Sequence, residues 1–217
     1  ASCQSVADTR SAKLSASPAA SAASGQKSTG TLQWCASIRN RFESKQDFNF
    51  NHSSQDYVLT RTRLNVSYTT PAGNQGFVEL QDARVAGESS WAHPPVKSNA
   101  NANIFEDHLD IHQVNWSWKL DNANLTVGRQ KLDLGDGRMV ASLEWANTAR
   151  VSDGIRLTWG KPEKRQIDLF LGRPVAVDPD DFNDQARVGS RYLDSNFHGA
   201  FIEDRATLKE GQLQYWF

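Results

Sequence analysis

The feature that most constrains this chain is a regular alternation of apolar and polar residues near its start. In residues 32–43 and 58–68, almost every second side chain is apolar or threonine, and those between are mostly charged or polar. The side chains of the first kind are Leu32, Trp34, Ala36, Ile38, Phe42, Val58, Thr60, Thr62, Leu64, Val66 and Tyr68. Because a β-strand turns successive side chains to opposite faces, each segment forms one apolar and one polar wall.

The alternation recurs along the chain and predicts an all-β protein, since no helical period of useful length competes with it. The predicted strands are Leu32–Glu43, Val58–Tyr68, Gly76–Ala86, His108–Leu120, Ala123–Leu134, Arg150–Gly160, Gln166–Pro174, Ser195–Asp204 and Gly211–Phe217. Connections after the even-numbered strands are short, at 70–75, 121–122, 161–165 and 205–210. Connections after the odd-numbered strands are longer and polar, at 44–56, 87–107, 135–149 and 175–194.

This sorting of short and long connections distinguishes two all-β architectures. An outer-membrane barrel has short periplasmic turns and long extracellular loops, whereas a soluble sandwich has no reason to sort its loops. Strands of about 9–12 residues also suit a tilted crossing of the bilayer. We therefore predict an antiparallel up-and-down transmembrane β-barrel. The alternative is a secreted β-sandwich or jelly roll that binds carbohydrate, with Trp91, Trp145 and Trp159 as stacking platforms.

Charge and composition exclude other classes of protein. The chain has 24 basic residues against 25 acidic ones, which excludes the basic excess of a general nucleic-acid-binding domain. Its mean hydropathy is -0.60 and it has no run of about 18 apolar residues, which excludes a transmembrane helix. Residues 1–30, rich in Ala and Ser, are predicted to be a disordered leader before one domain at 31–217. For Cys3 and Cys35, a disulfide, a lipid-modified Cys3 and unrelated thiols all stay open.

Motifs for catalysis and for cofactors are missing from the sequence. It contains no phosphate-binding loop, nucleophile elbow or Cys-His pair, so we predict neither an enzyme nor a bound cofactor. His108 and His112 are four residues apart, but their surroundings indicate a strand rather than the helix on which such a pair binds metal. The acidic segment 178–184 lacks the spacing of a calcium-binding EF-hand, which favours a solvated loop.

Four motifs resemble the alginate-export family of outer-membrane porins. They are Leu80-Gln81-Asp82-Ala83-Arg84, the run from Val127 to Arg138, the run from Arg150 to Leu157 and the run from Asp168 to Pro174. The likeness extends over roughly residues 32–217. It implies a large monomeric barrel of about eighteen strands in the bacterial outer membrane. It also implies transport, since the best-known member passes the anionic polysaccharide alginate through an arginine-rich pore.

The number of strands departs from that family. About nine strands are half of the expected set, which predicts the N-terminal half of such a barrel. The last predicted strand carries Leu213, Tyr215 and Phe217, which resemble the aromatic C-terminal segment of an outer-membrane protein. That segment belongs on a strand that runs toward the periplasm, whereas this strand is predicted to run the opposite way. We therefore expect an incomplete barrel, whose free edges further strands would close.

Side chains between the lipid-facing positions are expected to line the pore. A bulge near Gln81 would turn Asp82 and Arg84 inward. A second bulge, at Gly128, would turn Arg129, Lys131 and Asp133 inward and leave Leu132 and Leu134 outside. The predicted pore-lining residues are Arg39, Arg41, Arg61, Arg63, Glu79, Asp82, Arg84, Arg129, Lys131, Asp133, Arg138, Asp153 and Arg156.

The arginines in this set predict the passage of an anionic polysaccharide or of small acidic solutes, because guanidinium groups bind carboxylates in bidentate fashion. Two alternatives remain open. The charges could pair across strands and only stiffen the wall, or the barrel could be a passive general-diffusion porin. Outer-membrane lipid is an expected contact, a periplasmic export machinery is a candidate partner, and nucleic acid is not an expected partner.

Overall fold

The chain forms nine β-strands in a computed structural model that describes residues 29–47, 54–87, 105–161, 163–179, 181–183, 196–208 and 211–217. The strands are β1 (Thr31–Gln46), β2 (Ser54–Thr69), β3 (Gln75–Ala86), β4 (Asp107–Lys119), β5 (Ala123–Gln130), β6 (Ser152–Lys161), β7 (Arg165–Pro174), β8 (Phe197–Asp204) and β9 (Leu213–Trp216). Across these ranges, no helix is long and apolar enough to span a bilayer. The prediction of an all-β chain is confirmed strand by strand, and the predicted leader lies outside the described residues up to residue 28.

The nine strands make a single sheet in chain order, and each strand pairs antiparallel with the next. This confirms the up-and-down arrangement. The sheet is open, with β1 and β9 at its edges. The alternative of a sandwich is not supported, because the described strands belong to one sheet and the apolar face of that sheet stays exposed: Trp34 and Ile38 are 73% and 70% exposed.

The two faces of the sheet differ in chemistry. On β1 and β2 the outer face carries Trp34, Ile38, Leu64 and Val66, and all four remain exposed. The inner face of the same strands carries arginines that are largely shielded from solvent, such as Arg63 at 6% exposure. The predicted alternation of an apolar and a charged wall is therefore confirmed for these two strands.

Short turns join the strands at one end of the sheet. The turn after β2 depends on Gly73, whose φ of 84° favours glycine and whose N–H donates to the Thr70 carbonyl at 2.9 Å. Between β4 and β5, the Leu120 N–H donates to the Ala123 carbonyl at 2.8 Å and closes a two-residue turn. The Asn74 side chain accepts from the Lys119 N–H at 3.0 Å, so neighbouring turns are tied together.

The long connection between β5 and β6 folds over the inner face of the sheet. We call residues 131–151 the inner loop. The chain leaves the sheet after Gln130, four residues before the predicted end of β5. Leu132 and Leu134 then pack with Phe170 and Phe201, which project from the inner face of β7 and β8. The expectation that Leu132 and Leu134 lie outside is therefore wrong, because the backbone that carries them has crossed to the inside.

The predicted bulge in β3 is also wrong. β2 and β3 pair without a register shift, and Thr62 stands opposite Asp82 while Thr60 stands opposite Arg84. Asp82 and Arg84 therefore share the outer face with these threonines, where they pair with each other at 2.7 Å. The irregularity falls in the β3–β4 pairing, where β4 holds the additional residues. The additional residues therefore lie on β4, and not on β3 as predicted.

Gly128 breaks the strand geometry without a change in register. Its φ of 119° is one that residues with a side chain rarely adopt, and an added Cβ would lie 2.4 Å from the Val114 carbonyl oxygen. Arg129 still pairs in register with Val114 on one side and Asp153 on the other. The special backbone at Gly128 is thus present, but the inserted residue that was predicted there is not.

Candidate functional site

Five cationic side chains gather on the inner face at one edge of the sheet: Arg39 and Arg41 of β1, Arg61 and Arg63 of β2, and Lys131 at the start of the inner loop. Arg39 and Arg61 stand directly opposite each other in the strand pairing. Like charges in that position destabilise a sheet. The arrangement therefore requires acceptors from another part of the chain. We call the inner face of β1–β3 with Lys131 the loop-covered surface.

The inner loop supplies those acceptors with its backbone. Arg39 donates from Nη1 to the Glu144 carbonyl at 2.8 Å and from Nη2 to the Ala146 carbonyl at 2.9 Å. Arg41 donates to the Trp145 carbonyl at 2.6 Å. Arg61 reaches the same Glu144 and Ala146 carbonyls at 3.2 and 3.3 Å. Three consecutive carbonyl groups thus accept hydrogen bonds from three arginines and leave the positive charge of these arginines uncancelled.

The Glu144 carboxylate lies at the centre of the cationic group. Arg63 Nη1 donates to both of its oxygens, at 3.1 and 2.9 Å, and Lys131 Nζ donates to Oε1 at 2.8 Å. Arg61 Nη2 lies 3.2 Å from Oε2. Partial burial opposes ionisation, but the charges of Arg63 and Lys131 outweigh it and hold the pKa of Glu144 at about 2. Glu144 is therefore a firmly ionised carboxylate bound by three cations.

Buried polar side chains hold Arg63 in place beneath Glu144. Its Nε donates to Gln81 Oε1 at 2.8 Å, and its Nη2 lies 3.1 Å from Nε2 of His112. Gln81 in turn donates to the Thr148 carbonyl at 2.7 Å, which connects the arginine to the far side of the inner loop. Glu79 lies 3.9 Å from Arg63 Nε. Since Gln81 and His112 are almost fully buried, Arg63 has little freedom to move.

Asn147 attaches the inner loop to the sheet. Its side chain is fully buried, and its Nδ2 lies within hydrogen-bond distance of the carbonyl oxygens of Phe105, Thr60 and Arg84, at 2.8, 3.2 and 3.2 Å. These three carbonyls belong to β2, β3 and the segment before β4. One amide group therefore fixes the loop across three successive parts of the wall.

The backbone of the inner loop is bent around Glu144. Leu143 has a φ of 51°, which costs about 1–2 kcal/mol for a residue with a side chain. The Ala146 N–H donates back to the Leu143 carbonyl at 2.8 Å, and the Arg150 N–H donates to the Ser142 carbonyl at 2.6 Å. On the near side, Asp133 accepts from the Ser142 N–H at 2.7 Å. This closed shape directs the Glu144 side chain toward the cations.

Trp145 and Arg41 form the exposed rim of the site. The Arg41 guanidinium lies 4.2 Å from the centre of the Trp145 ring, which is a cation–π contact. Arg41 also lies 2.7 Å from the Glu43 carboxylate, and Tyr57 donates a hydrogen bond to the same carboxylate. The Trp145 side chain is 75% exposed, so one face of this ring is open to solvent.

A different arrangement holds the arginines of β5 and β6, which we call the paired wall. Arg129 donates from Nε and Nη2 to the two oxygens of Asp153, at 2.9 and 3.2 Å. Arg156 donates to Asp168 at 2.8 Å. Asp168 is 1% exposed and accepts further hydrogen bonds from Thr158 and Gln166, at 2.6 and 2.7 Å. Here the carboxylates come from the strands themselves.

The structure thus divides the predicted pore-lining residues into four groups. The loop-covered surface holds Arg39, Arg41, Arg61, Arg63, Glu79 and Lys131. The paired wall holds Arg129, Asp153 and Arg156. Asp133 and Arg138 belong to the inner loop, where Asp133 binds Ser142 and Arg138 is exposed and pairs with Asp136. Asp82 and Arg84 lie on the outer face, and their predicted inward orientation is wrong.

Glu144 and Asn147 were not predicted as site residues from the sequence, and Trp145 was named only as a stacking platform of the alternative β-sandwich. Residues 135–149 were predicted to be one of the long polar connections. The only available signal was the largely apolar segment 139–146, which is unusual for a solvated loop, although Met139, Leu143 and Trp145 are exposed in the structure. His108 and His112 do not share a site: His108 lies 3.5 Å from Glu106, whereas His112 contacts Arg63.

Comparison with known proteins agrees with this geometry. A family model described as alginate export matches residues 31–217. No curated protein and no solved structure gives a match to the chain. The match covers most of the chain and the strands form one up-and-down antiparallel sheet with an apolar outer face. The chain therefore belongs to the alginate-export family of outer-membrane β-barrel transport proteins.

Proposed function

We propose that the inner face of this sheet forms part of an outer-membrane passage for an anionic, carboxylated polysaccharide of the alginate type. In this proposal the passage is narrowed where the inner loop lies on the loop-covered surface. The solute moves past the cations of that surface by successive weak contacts, since conduction requires sites that bind strongly enough to admit a solute and weakly enough to release it.

The observation that carries the proposal is the binding of Glu144. The surface already holds one carboxylate with Arg61, Arg63 and Lys131, at distances of 2.8 to 3.2 Å. A uronate residue of a polysaccharide presents the same chemical group. The side chains are therefore placed as a carboxylate-binding site requires. A planar guanidinium group also fits a planar carboxylate better than a cation that acts as a point charge.

The local charge balance also supports an anionic solute. Six cations of this surface, the five named above and Lys45, face three carboxylates, those of Glu43, Glu79 and Glu144. A low-dielectric wall that carries one excess sign of charge focuses its field into the passage and concentrates the opposite ion there. The paired wall contributes less, because each of its two arginines has a strand carboxylate as a partner.

Single-channel currents of the full-length protein in planar lipid bilayers test the proposal. We expect anion selectivity, and a reversible block of the current by alginate oligomers. The double change Arg61→Ala with Arg63→Ala should lower the anion-to-cation permeability ratio severalfold. Arg165→Ala is the matched control, because Arg165 lies at the short-turn end of β7 with its own partner Asp204, and it should leave the ratio unchanged.

Two outcomes would overturn the proposal. One is cation selectivity of the unmodified protein. The other is an anion selectivity that the double change does not affect, because the cations of the loop-covered surface would then have no part in the passage. Small acidic solutes are a second class of candidate on the same evidence. They are favoured if acetate or glucuronate blocks the current as strongly as an alginate oligomer of equal carboxylate concentration.

A further inference from the structure

The Glu144 carboxylate is held separately from the contacts that fix the inner loop. The loop is attached to the sheet by the Asn147 side chain and the Thr148 carbonyl, which binds Gln81, and by the packing of Leu132 and Leu134 on Phe170 and Phe201. The backbone carbonyls of residues 144–146 bind arginines independently of the Glu144 side chain. The carboxylate could therefore leave its position while the loop stays in place.

The position of Glu144 is also accessible from solvent. Its side chain is 39% exposed, while those of Arg63 and Lys131 are 7% and 8% exposed. The cations thus form the floor of the site, and Glu144 covers them from the open side. If the side chain turns away by rotation about its own bonds, it uncovers a pocket floor that is already arranged for a carboxylate.

We propose that Glu144 is a tethered competitor that occupies a carboxylate subsite made by Arg61, Arg63 and Lys131. A carboxylate of the passing solute binds this subsite when the Glu144 side chain turns out of it. This inference rests on the proposed function and adds a chemical selectivity to it, because the subsite binds a planar monoanionic group. In the resting protein the Glu144 side chain fills the subsite.

The tether gives the proposed subsite a preference for polymers over single acids. Exchange of one carboxylate for another on the same three cations is nearly balanced in energy. The outcome then depends on concentration, and a group tethered by a short segment competes at an effective concentration in the millimolar range or above. A single small acid has to exceed that concentration, whereas a polyuronate brings many carboxylates to the site on one chain. Glu144 therefore discriminates against dilute monovalent acids.

The test is the block of single-channel current by free glucuronate, measured on the full-length protein. In the unmodified protein we expect block only at high glucuronate concentration. In Glu144→Gln, the amide keeps the size of the side chain but loses the charge that the three cations bind. The glucuronate concentration for half-maximal block should then fall at least tenfold. Glu144→Ala should give the same result, which removes any dependence on new hydrogen bonds made by the amide.

Asp136→Asn is the matched control. It makes the same change in net charge on the same loop, but Asp136 pairs with the exposed Arg138 and not with the three cations. It should leave the blocking concentration within twofold of the unmodified protein. A similar fall in Asp136→Asn and Glu144→Gln would overturn the inference, because a general charge effect would then explain both.

The failures of the two proposals can be told apart. If Glu144→Gln and Glu144→Ala leave the glucuronate block unchanged while the channel stays anion-selective, the tethered competitor is wrong and the proposed function stands. If the unmodified channel is cation-selective, the proposed function fails and the inference fails with it.

Discussion

Two regions of the sheet use arginine in different ways. On the loop-covered surface, Arg61 and Arg63 bind Glu144, a carboxylate on a connecting loop. On the paired wall, Arg156 binds Asp168, a carboxylate on the neighbouring strand. The guanidinium groups and the distances are similar. The difference lies in whether the partner belongs to the sheet or can move relative to it.

That difference separates a structural role from a binding role. A strand carboxylate such as Asp168 keeps its position as long as the sheet is folded, and it has two further hydrogen bonds to strand side chains. Glu144 is held by its cations and by a loop with left-handed residues at Leu143 and Ala149. We therefore expect changes in the paired wall to affect mainly stability, and changes around the inner loop to affect mainly conduction.

The largest expected effect follows from Asp168→Asn. The substitution leaves the Arg156 charge, whose side chain is only 21% exposed, without its ionic partner. Breaking a buried ion pair in this way costs about 3 kcal/mol. The free energy of unfolding of the full-length protein, measured by denaturant titration in detergent micelles or lipid vesicles, should fall by this amount. The anion-to-cation permeability ratio of the channel should change little.

A contrary result would break the comparison. If Asp168→Asn changed the permeability ratio as strongly as the Arg61→Ala and Arg63→Ala double change, the paired wall would be part of the conducting path. The assignment of Arg156 to a structural role would then be wrong, and the two regions would differ only in where their carboxylates come from.

Asn147→Ala should give the next largest effect. It removes the amide that joins the inner loop to three carbonyl groups of the wall, and leaves those acceptors buried without their donor. The cost is about 2 kcal/mol, and it falls on the attachment of the loop rather than on the sheet. Hydrogen exchange measured by mass spectrometry should become faster in peptides from residues 131–151 and stay unchanged in peptides from β6 and β7.

Asn124→Ala is the control for this measurement. Asn124 is an exposed side chain on β5 that makes one long hydrogen bond, 3.4 Å, to Thr126. It should not alter exchange in the inner loop. Equal protection of residues 131–151 in Asn147→Ala and the unmodified protein would show that other contacts are sufficient to hold the loop.

The strands could be predicted from the sequence because each one carries its own signal. The alternation in residues 32–43 depends only on which side chains face the apolar environment, and the structure gives the same faces for Trp34, Ile38 and Arg39. The failure at Asp82 and Arg84 has a physical reason. Charged side chains were expected to avoid the outer face, whereas Arg84 and Asp82 neutralise each other there at 2.7 Å.

The site could be predicted only in part. Arg39, Arg41, Arg61 and Arg63 followed from the parity of β1 and β2. Glu144 could not be assigned to them, because the contact joins residues more than eighty positions apart and depends on a loop that folds inward. No pattern in the sequence around either residue predicts such a contact. The segment 139–146 is largely apolar, but Met139, Leu143 and Trp145 stay exposed in the structure, so its composition does not predict which strands the loop contacts.

A smaller effect is expected from pH, through Glu144. Its pKa is about 2 in the folded protein against an ordinary value of 4.5. Because the folded value is the lower one, ionised Glu144 stabilises the folded protein at every pH above 4.5, and this contribution is lost as the pH falls from 4.5 through about 2. The basic groups that act on its charge are Arg39, Arg61, Arg63, Lys131 and His112.

Channel conductance as a function of pH checks this expectation. In the unmodified protein it should stay constant from neutral pH to well below 4.5 and change only as the pH approaches about 2, the pKa of Glu144 in the folded protein. In Glu144→Gln this change should be missing, since the amide does not titrate. A change with the same midpoint in both proteins would assign it to another group.

The smallest expected effect comes from Asp136→Ala, which tests whether position on the inner loop is by itself important. Asp136 pairs with Arg138 at 2.7 Å, but the Arg138 side chain is 84% exposed and neither residue contacts the wall in the described structure. An exposed pair of this kind contributes about 0.5 kcal/mol or less, and salt screens it. Unfolding free energy, conductance and glucuronate block should all match the unmodified protein. A clear loss in any of the three would mean that the loop acts through its total charge, and the distinction between a bound Glu144 and the other loop acids would no longer hold.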